Sequence, residues 1–195
     1  MNSCYTFRKS AVDKPQNWEL SEQAISCSQE KGINIQIAFQ DIQKIRLFYY
    51  ANNRYRLNNF CCKITTRNQA VFDIYSSTYE GFANFVDQAE TYTSFVKELI
   101  QKAKSANPNC EIRTGQTSLT YYGNILFVLV AVIFLFLIFS LLPVNYYKFY
   151  IFIKIVIIAY FGFYLAKSIK VNQPRQLTGT EIPDNVLPKQ SNQKK

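Results

Sequence analysis

Three features of this 195-residue chain have residue types that could do chemistry: the neighbours Cys61 and Cys62, a group of cations between Lys44 and Arg67, and Lys154 inside an apolar run. The chain has no histidine. That removes imidazole as general base, as activator of a serine or cysteine nucleophile, and as the commonest zinc ligand. Neither G-x-x-x-x-G-K-[ST] nor G-x-G-x-x-G occurs among its six glycines, so there is no Walker or Rossmann phosphate cradle. Acidic residues are scattered, without the spacing of a metal site or a carboxylate dyad. Cys61-Cys62 is a candidate redox pair. On an extended strand, however, neighbours point to opposite faces, and a free cysteine is commonly a small buried hydrophobe. These features describe a protein that is not an enzyme, with no catalytic residue, no metal site and no cofactor.

The cations are the sharper signal. From Ile42 to Phe72 there is no aspartate or glutamate, while Lys44, Arg46, Arg54, Arg56, Lys63 and Arg67 supply six positive charges. If Ile45, Leu47 and Tyr49 face a core, Lys44 and Arg46 face away from it. On a returning strand Phe60, Cys62 and Ile64 would point inward and leave Lys63 outside. Arg54 and Arg56 fall in or beside the connecting loop. Lys44, Arg46, Arg54, Arg56 and Lys63 are therefore the candidate binding residues, directed at anionic lipid headgroups or an acidic protein partner. The bland alternative is a solvated strand face neutralised by Glu19, Glu22 or Asp73. Lys154 lies about 8 Å from the end of its apolar run, within reach of snorkelling; otherwise it is a candidate intramembrane polar site.

The elements that must position these residues follow from periodicity. Residues 17–27, 33–39, 44–50, 59–66 and 70–75 read as strands, the clearest being Ile33, Ile35, Ile37 and Phe39 at period two. Short connections imply an antiparallel meander. Tyr92, Phe95, Val96, Leu99, Ile100 and Ala103 then share one helical face, with Asp87 and Glu90 as a capping pair and Asn107-Pro108 as the stop. Such a helix must lay its apolar face on the sheet. The fold class is α+β: a meander closed by one C-terminal amphipathic helix.

The stretch WELSEQAISCSQEKGINIQIAFQDIQKIRL, with Ile37 to Ile45 leading out of the second strand, resembles the bacterial pleckstrin-homology-like (PH-like) domains of small two-span membrane proteins. That resemblance implies a partly open PH-like barrel.

Beyond the helix the composition changes. Every residue from Ile125 to Phe139 is apolar, and Phe149 to Ala166 carries one charge, Lys154. About twenty apolar residues match a hydrocarbon core of roughly 30 Å. Pro143 and Asn145 favour a turn between the two runs. The predicted organisation is a PH-like domain over 1–107, a tether over 108–120, a transmembrane hairpin of helices 121–144 and 149–166 about an external turn at 145–148, and a basic tail over 167–195. Basic residues flank the hairpin on its open side, which predicts a multi-pass inner-membrane protein with both termini cytoplasmic. The five cysteines, odd in number and irregular in spacing, fit a reducing compartment. Net charge is +9, yet residues 1–120 hold 14 basic against 11 acidic groups, too balanced for a nucleic-acid binder. The predicted function is a non-enzymatic interaction module at the membrane face. The alternative is a hairpin subunit of a channel or transporter, with Gly162 and Ala166 permitting a homo-oligomer.

Overall fold

Alternation builds the first sheet. In a computed structural model, which describes residues 3–30, 34–49, 59–82, 84–141, 156, 172–177, 182–183 and 186–188, strands predominate and two α-helices accompany them. Strands β1 (Ser3–Phe7), β2 (Gln16–Leu20), β3 (Ala24–Gln29) and β4 (Ile35–Ala38) pair antiparallel in chain order. Their register stacks Tyr5 on Trp18 and Trp18 on Cys27, and, in a second row, Leu20 on Ile25 and Ile25 on Ile37. All six are buried. Residues 17–27, which the periodicity suggests as one strand, are two. Ser21 folds the chain back: its amide donates to the Ala24 carbonyl at 2.9 Å, and its hydroxyl accepts from the Ala24 amide at 3.0 Å.

A 3-10 turn (Phe39–Asp41) leads into the second sheet. Here β5 (Ile42–Tyr49), β6 (Phe60–Thr66) and β7 (Val71–Tyr75) form an antiparallel meander. A small hairpin of β8 (Ser77–Gly81) and β9 (Asn84–Asp87) follows, held to the end of β1 by the Tyr79 amide donating to the Arg8 carbonyl at 2.8 Å. Helix α1 (Ala89–Ala106) then buries Tyr92, Phe95, Val96, Leu99, Ile100 and Ala103, with Tyr5 packed against both Tyr92 and Phe95. Its N-cap is Gln88, without a side-chain bond, because Asp87 is the last residue of β9. At the other end Asn107 pins the helix to the sheet: its Nδ2 donates to the Ile42 carbonyl at 2.9 Å.

After α1 the chain does not run bare as a tether. Glu111–Thr114 is β10, which joins the edge of β5 in parallel, and Arg175–Leu177 is β11, antiparallel to β10. The second sheet thus has the order β11-β10-β5-β6-β7. Val186 and Leu187 are buried in the same core, and Leu177 and Ile182 pack against it. One compact unit therefore comprises Met1–Gly115 with Arg175–Lys195, and a second comprises Gln116–Pro174.

The second unit corrects the membrane reading. It contains α2 (Ser118–Leu141), 24 residues long, whose described apolar side chains include the exposed Leu126, Phe127, Val130 and Ile133. Among the described residues no helix is long and apolar enough to cross a membrane. Apolar residues counted along a chain measure composition, and composition by itself does not make a span. The transmembrane hairpin in the predicted fold class, the inner-membrane location and the cytoplasmic placement of both termini fall with it. The turn 145–148, Lys154, Gly162, Ala166 and all of 149–166 except Val156 lie outside the described residues.

Candidate functional site

Period-two alternation sorts the second sheet into two faces. Inward rows run Ile112–Ile45–Ile64–Phe72 and Thr114–Leu47–Cys62–Ile74 across β10, β5, β6 and β7. Outward, one residue offset, the same register aligns Arg113, Arg46, Lys63 and Asp73 in a single lateral row. A second outward row carries Glu111, Lys44, Thr65 and Val71. Three cations from three adjacent strands therefore stand side by side on the outer face.

Their partners differ. Lys44 Nζ lies 3.7 Å from Glu111 Oε2, and Arg113 Nη2 lies 2.8 Å from that same oxygen. Lys63 Nζ is 3.6 Å from Asp73 Oδ1 and 5.8 Å from the centre of the Phe48 ring. Arg46 stands between the two pairs. Its Nη1 donates to the Gly115 carbonyl at a long 3.5 Å, and among the described residues no carboxylate is in ion-pair contact with it. Partial burial, and then the like charge of Arg113, pull its pKa below the ordinary value, with Glu111 acting against both. A guanidinium still keeps its proton at neutral pH. Arg113 Nε is buried with no hydrogen-bond partner among the described residues. The face thus holds spare donors and spare positive charge at its centre.

Lys44, Arg46 and Lys63 all lie on this outer face. Arg54, Arg56 and Lys154 lie outside the described residues. Asp73 is one of the carboxylates the sequence offers as a neutralising partner; Glu111 is a second that spacing did not suggest. Arg113 and Glu111 are the functional candidates that sequence reasoning missed. They sit in Glu-Ile-Arg-Thr, four residues of strict alternation after the helix stop, a signal too short to stand out beside the apolar run that follows.

The cysteines take structural positions. Cys61 and Cys62 alternate on β6, yet both belong to the buried core, as do Cys27 and Cys110. Burial raises all four thiols; Cys27 moves up to about 11. A thiol held protonated is a poor nucleophile. A groove of about 370 Å³ also opens beside β4 and β7, with Ile35, Ile37 and Phe72 among its apolar lining and Asp41 and Arg67 among its polar lining.

No family model matches the chain, and no curated protein matches it. Among solved structures it is similar to the hSac2 domain from human phosphoinositide phosphatase Sac2, at 10% identity over 60% of this chain and 77% of that one, with a TM-score of 0.42. It is also similar to a chain of the Spt16D Pob3N heterodimer, at 14% identity over 60% of this chain and 55% of that one, with a TM-score of 0.34.

Proposed function

We propose that this chain is a non-catalytic, PH-like interaction module that binds an acidic site on a protein partner through the outer face of its second sheet. The observation that carries the reading is Arg46. Lys63 has Asp73 and Lys44 shares Glu111 with Arg113, as a solvated strand face would provide, whereas among the described residues the central guanidinium has no ion pair, a like-charged neighbour and one weak carbonyl contact. Partial desolvation of a cation that lacks an ion pair of its own costs stability, and groups retained at such a cost mark contact surfaces. An antiparallel four-stranded sheet and a mainly antiparallel five-stranded sheet, with an amphipathic helix buried in the shared core, support the PH-like part of the reading.

The test is binding of the full chain to a glutamate-rich peptide at low and high salt, read by fluorescence anisotropy. Binding that weakens with salt and is lost in Arg46→Glu supports the reading. Equal binding by Arg46→Glu and by the parent chain refutes it.

A further inference from the structure

We infer that the acidic group received by this face is a phosphorylated serine or threonine side chain of a partner protein, seated over Arg46 between Arg113 and Lys63. This rests on the interaction-module reading above and narrows it to one ligand chemistry.

Charge balance comes first. The two outward rows hold Lys44, Arg46, Lys63 and Arg113 against Glu111 and Asp73, which leaves two positive charges. A phosphomonoester carries about −2 at neutral pH and three acceptor oxygens; a carboxylate carries one charge and two oxygens. The spare charge therefore fits one phosphate better than one glutamate.

Donor geometry agrees. Adjacent strands are about 4.8 Å apart, so Arg113 and Lys63 start about 10 Å from each other with Arg46 midway, a spacing that long flexible side chains close around a single tetrahedral group. Two guanidiniums on neighbouring strands offer the planar donor forks that bind phosphate through paired hydrogen bonds. Arg113 Nε, buried without a hydrogen-bond partner among the described residues, is one such donor already desolvated. An anion between Arg46 and Arg113 also relieves the repulsion between them.

The flanking carboxylates select for compactness. Asp73 closes one end of the cationic row, and Glu111 borders the other through its contacts with Arg113 and Lys44. A broad anionic surface such as a bilayer would press against both carboxylates. A single phosphate on a side chain fits between them.

The experiment titrates the full chain with a Gly-Ser-flanked peptide bearing one phosphoserine, and with the same peptide bearing glutamate in its place, following backbone amide NMR shifts, which detect millimolar binding. The expected result is affinity at least tenfold higher for the phosphoserine peptide at pH 7.5, with shifts centred on β5, β6 and β10. That advantage should fall several-fold by pH 5, as the phosphate regains its second proton near pH 6. Arg46→Gln should lose at least tenfold, while Arg67→Gln, an exposed cation off the row, should lose less than twofold. Equal affinity for the two peptides overturns the phosphate inference and leaves the interaction module standing. Binding of neither peptide overturns both. Binding of phosphatidylserine vesicles without binding of the phosphoserine peptide overturns the inference in favour of a lipid surface. If Arg46→Gln does not fold, the shift map of the parent chain decides: shifts confined to the groove beside β4 and β7 refute the site.

Discussion

The return of the chain after Pro174 can be tested through its two deepest side chains. Val186 is 3% exposed and Leu187 5%, so each has nearly all its apolar surface in the core around Leu20, Ile45 and Leu99. Burying an aliphatic side chain of this size stabilises by about 1.5–3 kcal/mol, so the pair contributes about 3–6 kcal/mol. A typical domain has only about 5–15 kcal/mol in total. Truncating Leu187 to alanine removes transfer energy and leaves a cavity, together about 2–5 kcal/mol. The chain provides its own reporter: Trp18 is its single tryptophan and is 2% exposed in the same core. Urea unfolding followed by Trp18 fluorescence should show Leu187→Ala losing at least 2 kcal/mol. Val12→Ala, at a position 94% exposed, is the control and should stay within about 0.5 kcal/mol. If Leu187→Ala stays as close to the parent as the control does, the segment is not part of the core and the account of the second sheet's outer edge fails with it.

Three other outcomes are expected. Asn107→Ala removes the bond to the Ile42 carbonyl and the 3.1 Å bond accepted from the Asn109 amide, and should cost about 1–3 kcal/mol; unchanged hydrogen exchange at the start of β5 would show the pin to be idle. Alkaline pH should destabilise the fold: Cys27 rises from its ordinary 9.0 to about 11 on burial, so its contribution is fully present below pH 9 and is lost as pH climbs through 11, with Cys61, Cys62 and Tyr92 adding in the same direction. Urea midpoints at pH 7, 9 and 10.5 should fall in that order, less steeply in Cys27→Ser, and a flat profile contradicts the burial. Arg46→Met should leave stability unchanged or raise it by up to about 1 kcal/mol while abolishing binding of acidic peptides; a loss above that size would make Arg46 a structural residue.

Legibility in the sequence followed the length and regularity of each pattern. The Ile35–Ile37 and Ile45–Leu47 alternations, the Tyr92–Ala103 face and the Asn107 stop are long or sharply bounded, and each marks an element in the structure. β10 is a four-residue strand outside any longer alternating run, and β11 spans only three residues. Its neighbours Val186 and Leu187 stand in the polar stretch that composition alone assigns to a tail. Pairing of β10 with β5 joins residues separated by the β6–β9 region and a whole helix, information no local period contains. Apolar runs misled in the opposite way. They are the loudest signal in the chain, yet hydropathy reports which side chains avoid water and is silent about what shields them.

The same contrast separates the parts of the cationic face. Lys44 and Lys63 were readable as outward residues, and their neutralisation by Glu111 and Asp73 makes them ordinary strand cations. What is unusual is the placement of Arg46 beside Arg113, and it exists only because β10 lies parallel to β5 with those two residues in register. A one-residue slip of β10 would turn Arg113 into the core and Ile112 outward, exchanging a charge for a hydrophobe on both faces. Burial of Ile112 against Ile45 therefore fixes the place of Arg113, and the core dictates the spacing of the binding groups. It follows that Ile112→Asp, which disfavours the native register, should abolish anion binding as completely as Arg46→Gln, although residue 112 faces away from the ligand. If Ile112→Asp instead keeps full affinity in a folded chain, Arg113 does not owe its position to the register of β10, and the two-guanidinium seat is not built as described.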